Sequence, residues 1–328
     1  MRAVLGWMTV VVLCCASGAV GQEDPDFRLR RAQKASTEAS KLYQAGHYSE
    51  AIAKSEHALS LREAALGKNH LTVAESLYHL AALYYAQGMY GRAEPLHERA
   101  LVIREAVDDT DPLTVANSLN ALALIYYARG SSGRAEPLYA RALAIREAVL
   151  GKRHPIIAEQ HHDLADLHVS QGLYDRAERL YQRALAIREA TLGKNHPTVA
   201  ESLHSLANLH AALGMYDRAK PLHERALAIR EAALGKNHPD VAESLNRLAT
   251  LYSSQGRYGQ AEPLFQRSIA IREAALSKNH PDVAESLNGL ATLHWLRTTM
   301  PHPHYWAPFI VLGRDAPLRA LGPTPQFQ

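Results

Sequence analysis

Cysteine occurs at positions 14 and 15 and nowhere after them. The body of the chain therefore has no disulfide, no cysteine zinc site and no thiol nucleophile. Basic blocks are also missing. The net charge is +3, one of those charges is Arg2, and no run of Lys and Arg is dense enough for nucleic acid. No segment reads as a strand. What is present, 47% apolar and 21% charged residues, suits a soluble folded protein of one or two domains or one repeat array.

The N-terminus differs from the rest. After Arg2, residues 3–22 carry no charge. The apolar run Trp7 to Cys15 is followed by Ala16, Ser17, Gly18, Ala19 and Gly21, the layout of a secretory signal. Residues 1–21 are expected to be a signal peptide cleaved after Ala19-Val20-Gly21, leaving Gln22 first. The alternative is an uncleaved anchor, because the uncharged run is just long enough to span a bilayer. Neither cysteine follows the small residue that precedes a lipoprotein cysteine. The expected location is periplasmic or extracellular, or at the membrane if the leader is retained.

The body is periodic. LGKNH stands at 66–70, 192–196 and 234–238, LGKRH at 150–154 and LSKNH at 276–280. AEPL stands at 93–96, 135–138 and 261–264, and glycines fall in step at 46, 88, 130, 172, 214 and 256. A reaction needs one site, whereas a motif copied at a fixed period is repeat punctuation.

Each unit reads as two helices. From Pro197, a residue suited to the first helical position, Val199, Leu203, Leu206, Ala207 and His210 mark one face, and Gly214 stops the helix. A second helix runs from about Tyr216 to Ala233, with Ala219, Leu222, Ala226, Leu227 and Ile229 inward. Ala81, Ala93 and Ala100, with counterparts Ala123, Ala135 and Ala142, mark close approaches, and Tyr84, Tyr126 and Tyr252 fill wider gaps. Pro95, Pro137, Pro221 and Pro263 fall inside the second helix and predict a bend near its start. A lone hairpin cannot bury both faces, so the units must stack.

The pattern LYYAQG…Y…AEPL…RALAIRE…LGKNHP resembles the tetratricopeptide repeat, in the longer form of the kinesin light chain subclass, over about residues 32–297. The resemblance implies an all-α fold, a right-handed superhelical solenoid of stacked helix-turn-helix repeats. Residues 22–297 are expected to hold about six helix pairs and a final unpaired helix over Asp282–Leu296. In the connection LGKNHP, Gly235 ends one helix, Asn237 or His238 caps the next and Lys236 is solvated. The first unit is more polar, with Ala35 and Glu38 where later copies carry leucine, as a terminal cap requires. Residues 298–328 hold six prolines and no repeat signal and are expected to be irregular, with Tyr305-Trp306 and Phe309–Leu312 available to dock on the exposed end.

Catalytic chemistry finds little support. Gly235-Lys236 lacks the second glycine of a phosphate loop. His162 and Asp166, four apart, with His204 one repeat later, offer imidazole and carboxylate to a metal, against a plain reading as polar groove residues. His161 and His168 should face the packed side. The Arg-Glu pairs from Arg62-Glu63 to Arg272-Glu273 read as inter-repeat salt bridges or solvated helix ends. No nucleophile–base set stands out, so no catalytic residue, metal or cofactor is expected.

What remains is a surface. In tetratricopeptide proteins the first helix of each unit lines the concave groove. That stripe reads Glu75, Tyr78, Ala82 and Tyr85; Asn117, Asn120, Leu124 and Tyr127; Glu159, His162, Asp166 and Val169; Glu201, His204, Asn208 and Ala211; and Glu243, Asn246, Thr250 and Ser253. In the kinesin light chain class groove asparagines pair with cargo peptide backbone, which makes Asn120, Asn208 and Asn246 candidates here. The stripe, extended to Glu285, has no Lys or Arg, so a basic or neutral extended peptide is expected. The function expected is a non-catalytic protein-interaction scaffold. Its rivals are a structural module of the cell envelope or surface that uses its convex face or ends, then a cytoplasmic cargo adaptor, then a metal-dependent enzyme. No nucleic acid or small-molecule substrate is called for.

Overall fold

The computed structural model describes residues 24–276, 278 and 280–299. The leader and the Pro-rich tail lie outside the described residues. The chain divides into two compact units, Met1–Asp108 and Asp109–Gln328. Among the described residues there are thirteen helices and no strand. The first unit holds α1 (Pro25–Gln44), α2 (Tyr48–Leu66), α3 (Leu71–Ala86) and α4 (Tyr90–Glu105). The second holds α5 (Pro112–Ala128), α6 (Ser132–Leu150), α7 (Pro155–Ser170), α8 (Tyr174–Leu192), α9 (Pro197–Ala212), α10 (Tyr216–Leu234), α11 (Pro239–Ser254), α12 (Tyr258–Ala275) and α13 (Pro281–Thr299). Within each unit every helix packs on the next, so helix-turn-helix pairs stack in series. None of the described helices is long and apolar enough to cross a membrane.

The repeated connections have a local cause. The first helix of a pair ends in a glycine of positive φ, such as Gly88 at 69°. Met89 N–H then reaches back to the Tyr84 carbonyl at 2.8 Å and satisfies a carbonyl the helix leaves open. The second helix ends differently. Gly235 takes φ 85° and ψ 156°, a conformation essentially confined to glycine. The next helix is capped by the histidine of LGKNH, not its asparagine. His238 Nδ1 accepts the Asp240 N–H at 3.2 Å, and His70, His154, His196 and His280 do the same. Asp24 and Asp111 supply that acceptor for α1 and α5.

Alanine lets the helices approach. Ala81, Ala93, Ala100, Ala123, Ala135 and Ala142 are wholly buried, and Tyr84, Tyr126 and Tyr252 are buried beside them. The four prolines sit on exposed faces inside α4, α6, α10 and α12, which continue through them. A Cβ added at Gly91, Gly133 or Gly259, four residues earlier, would meet nothing within 4 Å, so space does not demand glycine there.

The arginines of the Arg-Glu pairs are not solvated. Arg104, Arg146, Arg188, Arg230 and Arg272 are buried. Arg230 Nη1 donates to the Asp240 carbonyl at 2.9 Å, to Glu243 at 3.0 Å and to Ser244 Oγ at 3.1 Å, all on the following helix. The glutamates link successive second helices: Glu63 to Arg99, Glu189 to Arg225 and Glu231 to Arg267, at 2.6–2.7 Å. Those three partner arginines also donate to the carbonyls of Lys68, Lys194 and Lys236. Inter-repeat pairing is therefore the reading that holds, and solvated ends is the one that does not.

The last helix is half covered. Val283, Ser286, Leu293 and Leu296 are buried, while Ala284, Leu287 and Ala291 are exposed. Their equivalents in α11, Ala242, Leu245 and Ala249, are wholly buried.

Candidate functional site

The candidate positions lie on the first helices of the pairs and are taken unit by unit. In the first unit Glu75 is exposed and Tyr78 half-buried. Tyr78 meets His97 edge to face, with ring centroids 5.0 Å apart, and carries the Arg104 guanidinium 4.9 Å over its ring. Burial and Arg104 push His97 down to about 4, so this imidazole is neutral. Tyr85 is half-buried, 5.4 Å from the Tyr90 ring.

In the second unit many candidate groups are spent on one another. Asn117 Oδ1 accepts from Arg146 at 2.7 Å, and Asn120 Oδ1 accepts from the buried Gln160 amide. His162 Nε2 is 2.8 Å from Ser205 Oγ and its Nδ1 is 3.5 Å from Asp166. Asp166 also accepts from the buried Tyr181 hydroxyl, whose ionisation burial and that carboxylate oppose. His204 bonds to His223 and Ser244. Among the described residues no group of three His, Cys, Asp or Glu is placed to hold a metal.

Three residues of the predicted stripe, His204, Asn246 and Ser253, are not on the surface. His204 is 3% exposed and Asn246 is 6% exposed. His204 Nδ1 meets His223 Nδ1 at 2.9 Å and its Nε2 meets Ser244 Oγ at 2.8 Å. The Asn246 side-chain oxygen Oδ1 has no hydrogen-bond partner. His161 and His168 are buried, as their spacing predicts.

The residues left facing solvent are Asn117, Tyr127, Glu159, Glu201 and Asn208, with Asp163 and Asp166 half-buried among them. Asp163 is pushed up to about 6, by burial first and then by Asp166 and Glu159. Glu201 is 3.7 Å from Arg188. Glu243 is less available: burial raises it, but Arg247 and Arg230 outweigh burial and hold it below the usual carboxylate range. The face therefore offers carboxylates, one phenol and the free amide of Asn208. Asp163, Arg247 and His223 escaped the sequence reading. His223 occupies a position filled elsewhere by His97, Tyr139, Tyr181 and Phe265, and that variation within a near-constant second helix is the signal that marks it.

Fold and face together define a helical-repeat scaffold. The tetratricopeptide repeat model matches residues 31–106, 114–190, 160–232, 198–274 and 240–298. The chain belongs to the tetratricopeptide repeat family. Among solved structures it is similar to BtubC (BKLC) from P. vanneervenii, with 25% identity and a TM-score of 0.57, covering 78% of this chain and 94% of that one. It is also similar to a putative kinesin light chain with nearly identical TPR-like repeats from Podosopora anserina, at 28% identity and a TM-score of 0.55, over 63% of this chain and 99% of that one. The repeat is thus of the kinesin light chain-like subclass. A signal-transduction ATPase with a tetratricopeptide repeat sensor from Pyrococcus horikoshii shares the fold at 18% identity, with a TM-score of 0.63, over 84% of this chain and 41% of that one. No curated protein matches the chain.

Proposed function

We propose that this chain is a non-catalytic protein-interaction scaffold whose second unit holds an extended basic or neutral peptide against the first helices α5, α7 and α9. The observation that supports this most is the exposure of Asn208, Glu159 and Glu201 on these helices, with Asp163 raised by burial and by Asp166 and Glu159 against the opposing effect of Arg146 and Arg188. Asn208 can pair with an extended backbone as donor and acceptor. Tyr127 supplies an aromatic contact. A cation from the ligand would relieve the repulsion among the carboxylates.

The test is binding of labelled short peptides to the full chain, with lysine, serine or glutamate at the varied positions. Lysine peptides should bind best, and binding should weaken as salt rises. Glu159→Lys with Glu201→Lys should abolish the preference. The pair Glu201 and Glu243 is a poorer choice, because Glu243 is tied to Arg230 and Arg247. A preference for glutamate peptides would sink the reading.

The second reading is assembly through an end, which the exposed Ala284, Leu287 and Ala291 face of α13 favours. Export belongs to the same proposal and rests on the leader sequence. Mass spectrometry of the mature protein should find Gln22 at the N-terminus, and a leader retained in a soluble cytoplasmic pool would contradict it.

A further inference from the structure

Positive charge is unevenly shared among the first helices of the pairs. Helices α3, α5, α7 and α9 contain no Lys or Arg, and α11 and α13 contain one each, Arg247 and Arg297. Helix α1 contains five: Arg28, Arg30, Arg31, Lys34 and Lys41. The packing of the repeat therefore does not require them. Arg28 serves the fold, with its Nη1 donating to the Ala64 carbonyl of α2 at 3.1 Å.

The other four line one face. Counted from Phe27, they stand at i+3, i+4, i+7 and i+14, a single helical stripe. All four are exposed, and so is Phe27, with the Arg31 guanidinium 5.8 Å from the centre of its ring. The helix is held by another side, where Ala32 and Ala35 are buried with Ala58 and Leu61 of α2. One carboxylate lies on the stripe, Glu38, and Lys54 of α2 pairs with it at 2.7 Å. Lys54 holds that carboxyl below the usual carboxylate range, and Lys34 and Lys41 add to the effect, so three cations surround one acid. The aspartates at the start of α1 belong to its N-terminus. Asp24 accepts the Asp26 N–H at 3.1 Å, and Asp26 lies in the first turn, where the helix dipole offsets a carboxylate. With Lys54 included, the face sets five cations against Glu38.

We infer that the outer face of α1 is a docking surface for an anionic phospholipid bilayer, with Arg30, Arg31, Lys34 and Lys41 on the headgroups and the Phe27 ring at the acyl boundary. Clustered cations on a helix are drawn to the negative potential of such a surface, and an exposed aromatic at the tip adds an apolar contact that a soluble polyanion does not reward. The uncharged run of residues 3–22 ends shortly before Phe27, so α1 is the first described helix after the leader. The inference is independent of the peptide-binding reading, which uses α5, α7 and α9.

The test is sedimentation of the full chain with vesicles of phosphatidylcholine alone, or of phosphatidylcholine and phosphatidylglycerol in equal parts. Binding to the neutral vesicles reads any contribution of the apolar leader. Binding to the anionic vesicles should be tighter, and the excess should shrink as salt rises. Arg30→Gln with Lys34→Gln and Lys41→Gln should weaken binding to the anionic vesicles by about a hundredfold, at about fivefold per cation, and leave the neutral vesicles unaffected. Lys152→Gln with Lys194→Gln and Lys236→Gln removes the same charge from exposed connections of the second unit and should have little effect. Anionic vesicles bound no more tightly than neutral ones would overturn the inference. Equal losses in the two triple variants would also overturn it, because net charge and not this face would then carry the attraction. Phe27→Ala should weaken binding to the anionic vesicles and not to heparin. A chain that binds heparin but not the anionic vesicles has a soluble polyanion as its partner, and the inference is again wrong. The substituted side chains are exposed, and circular dichroism checks that each variant keeps its fold.

Discussion

His204 and His223 face each other through their Nδ1 atoms at 2.9 Å, both buried, between α9 and α10. The surrounding bonds fix their tautomers. Ser244 donates its proton to the Asp240 carbonyl, so its oxygen accepts from His204 Nε2–H and from Arg230. His204 Nδ1 is then the acceptor and His223 Nδ1–H the donor. A proton added to His204 would set two N–H groups against each other. Burial pushes His223 down to about 3, with Arg247 adding to it, and lowers His204 well below its usual value, with His223, Arg230 and Arg247 adding to it.

Acid should therefore loosen the array. Both histidines have a folded pKa below the unfolded value near 6.5, so the unfolded state binds more protons across that window. Their stabilising contribution is complete above about pH 6.5 and is lost as pH falls toward about 3. His97 adds the same trend in the first unit. Urea denaturation at pH 7 and pH 4.5 measures it. His204→Asn with His223→Phe copies the pair Asn246 and Phe265 of the sixth repeat and should flatten the pH slope. An unchanged slope in that double variant would place the acid sensitivity elsewhere.

Asp163 has the opposite sign. Its folded pKa is raised from 3.8 to about 6, so its charged form disfavours the fold. The group favours folding below about pH 4 and loses that contribution as pH rises through about 6. Asp163→Asn should raise the midpoint of urea unfolding at pH 7.5 and change it little at pH 4. A lower midpoint at pH 7.5 would show that the carboxylate has a partner in solution.

The fold was legible because its signals repeat. Pro197 opens a helix, Gly214 and Gly235 close helices, and Leu203 with Ala207 marks a buried face; each has its twin one period away. The face was less legible. Spacing alone put His204 and Asn246 with Asn208, yet the first two are buried and the third is exposed. Helical periodicity gives an angle around one helix and says nothing about how far a neighbour leans over it. The repeated arginines were only half legible, because spacing left inter-repeat pairing and solvated ends both open. A charged residue near a helix end reads as solvated until the acceptors on the following helix, Ser244 and the Asp240 carbonyl for Arg230, are seen to surround it.

Arg230 and Arg225 should differ in what their loss costs. Arg230 is buried and donates to Asp240, Glu243 and Ser244, so Arg230→Met should cost about 1.5–3 kcal/mol, the loss of buried hydrogen bonds from a charged donor. Arg225 pairs with Glu189 at the surface and donates to the Lys194 carbonyl, and Arg225→Ala should cost about 1 kcal/mol. Chemical denaturation of the two variants in the same buffer decides the order. Equal losses would show that the surface clamp contributes as much as the buried one.

The histidine of LGKNH should be replaceable by aspartate and not by alanine. His238 Nδ1 accepts one N–H of α11, and Asp111 does the same for α5. His238→Ala should cost about 0.5–2 kcal/mol, the usual value of a helix cap, whereas His238→Asp should keep most of it. An alanine variant as stable as the parent would mean that the α11 N-terminus is satisfied by water alone.

Leu245 and Leu287 occupy the same place in consecutive repeats and separate a covered face from an open one. Leu245 is fully buried between α11 and α12, whereas Leu287 is 45% exposed on α13. Truncating a buried leucine removes its transfer energy and leaves a cavity, so Leu245→Ala should cost about 2–5 kcal/mol. Leu287→Ala should cost under about 1 kcal/mol, since the half-exposed side chain has little burial to lose. The measurement is urea unfolding of the full chain with each variant, repeated over a range of protein concentration. A large, concentration-dependent loss for Leu287→Ala would show that a second copy covers the face. A large loss independent of concentration would show that a segment of the same chain covers it.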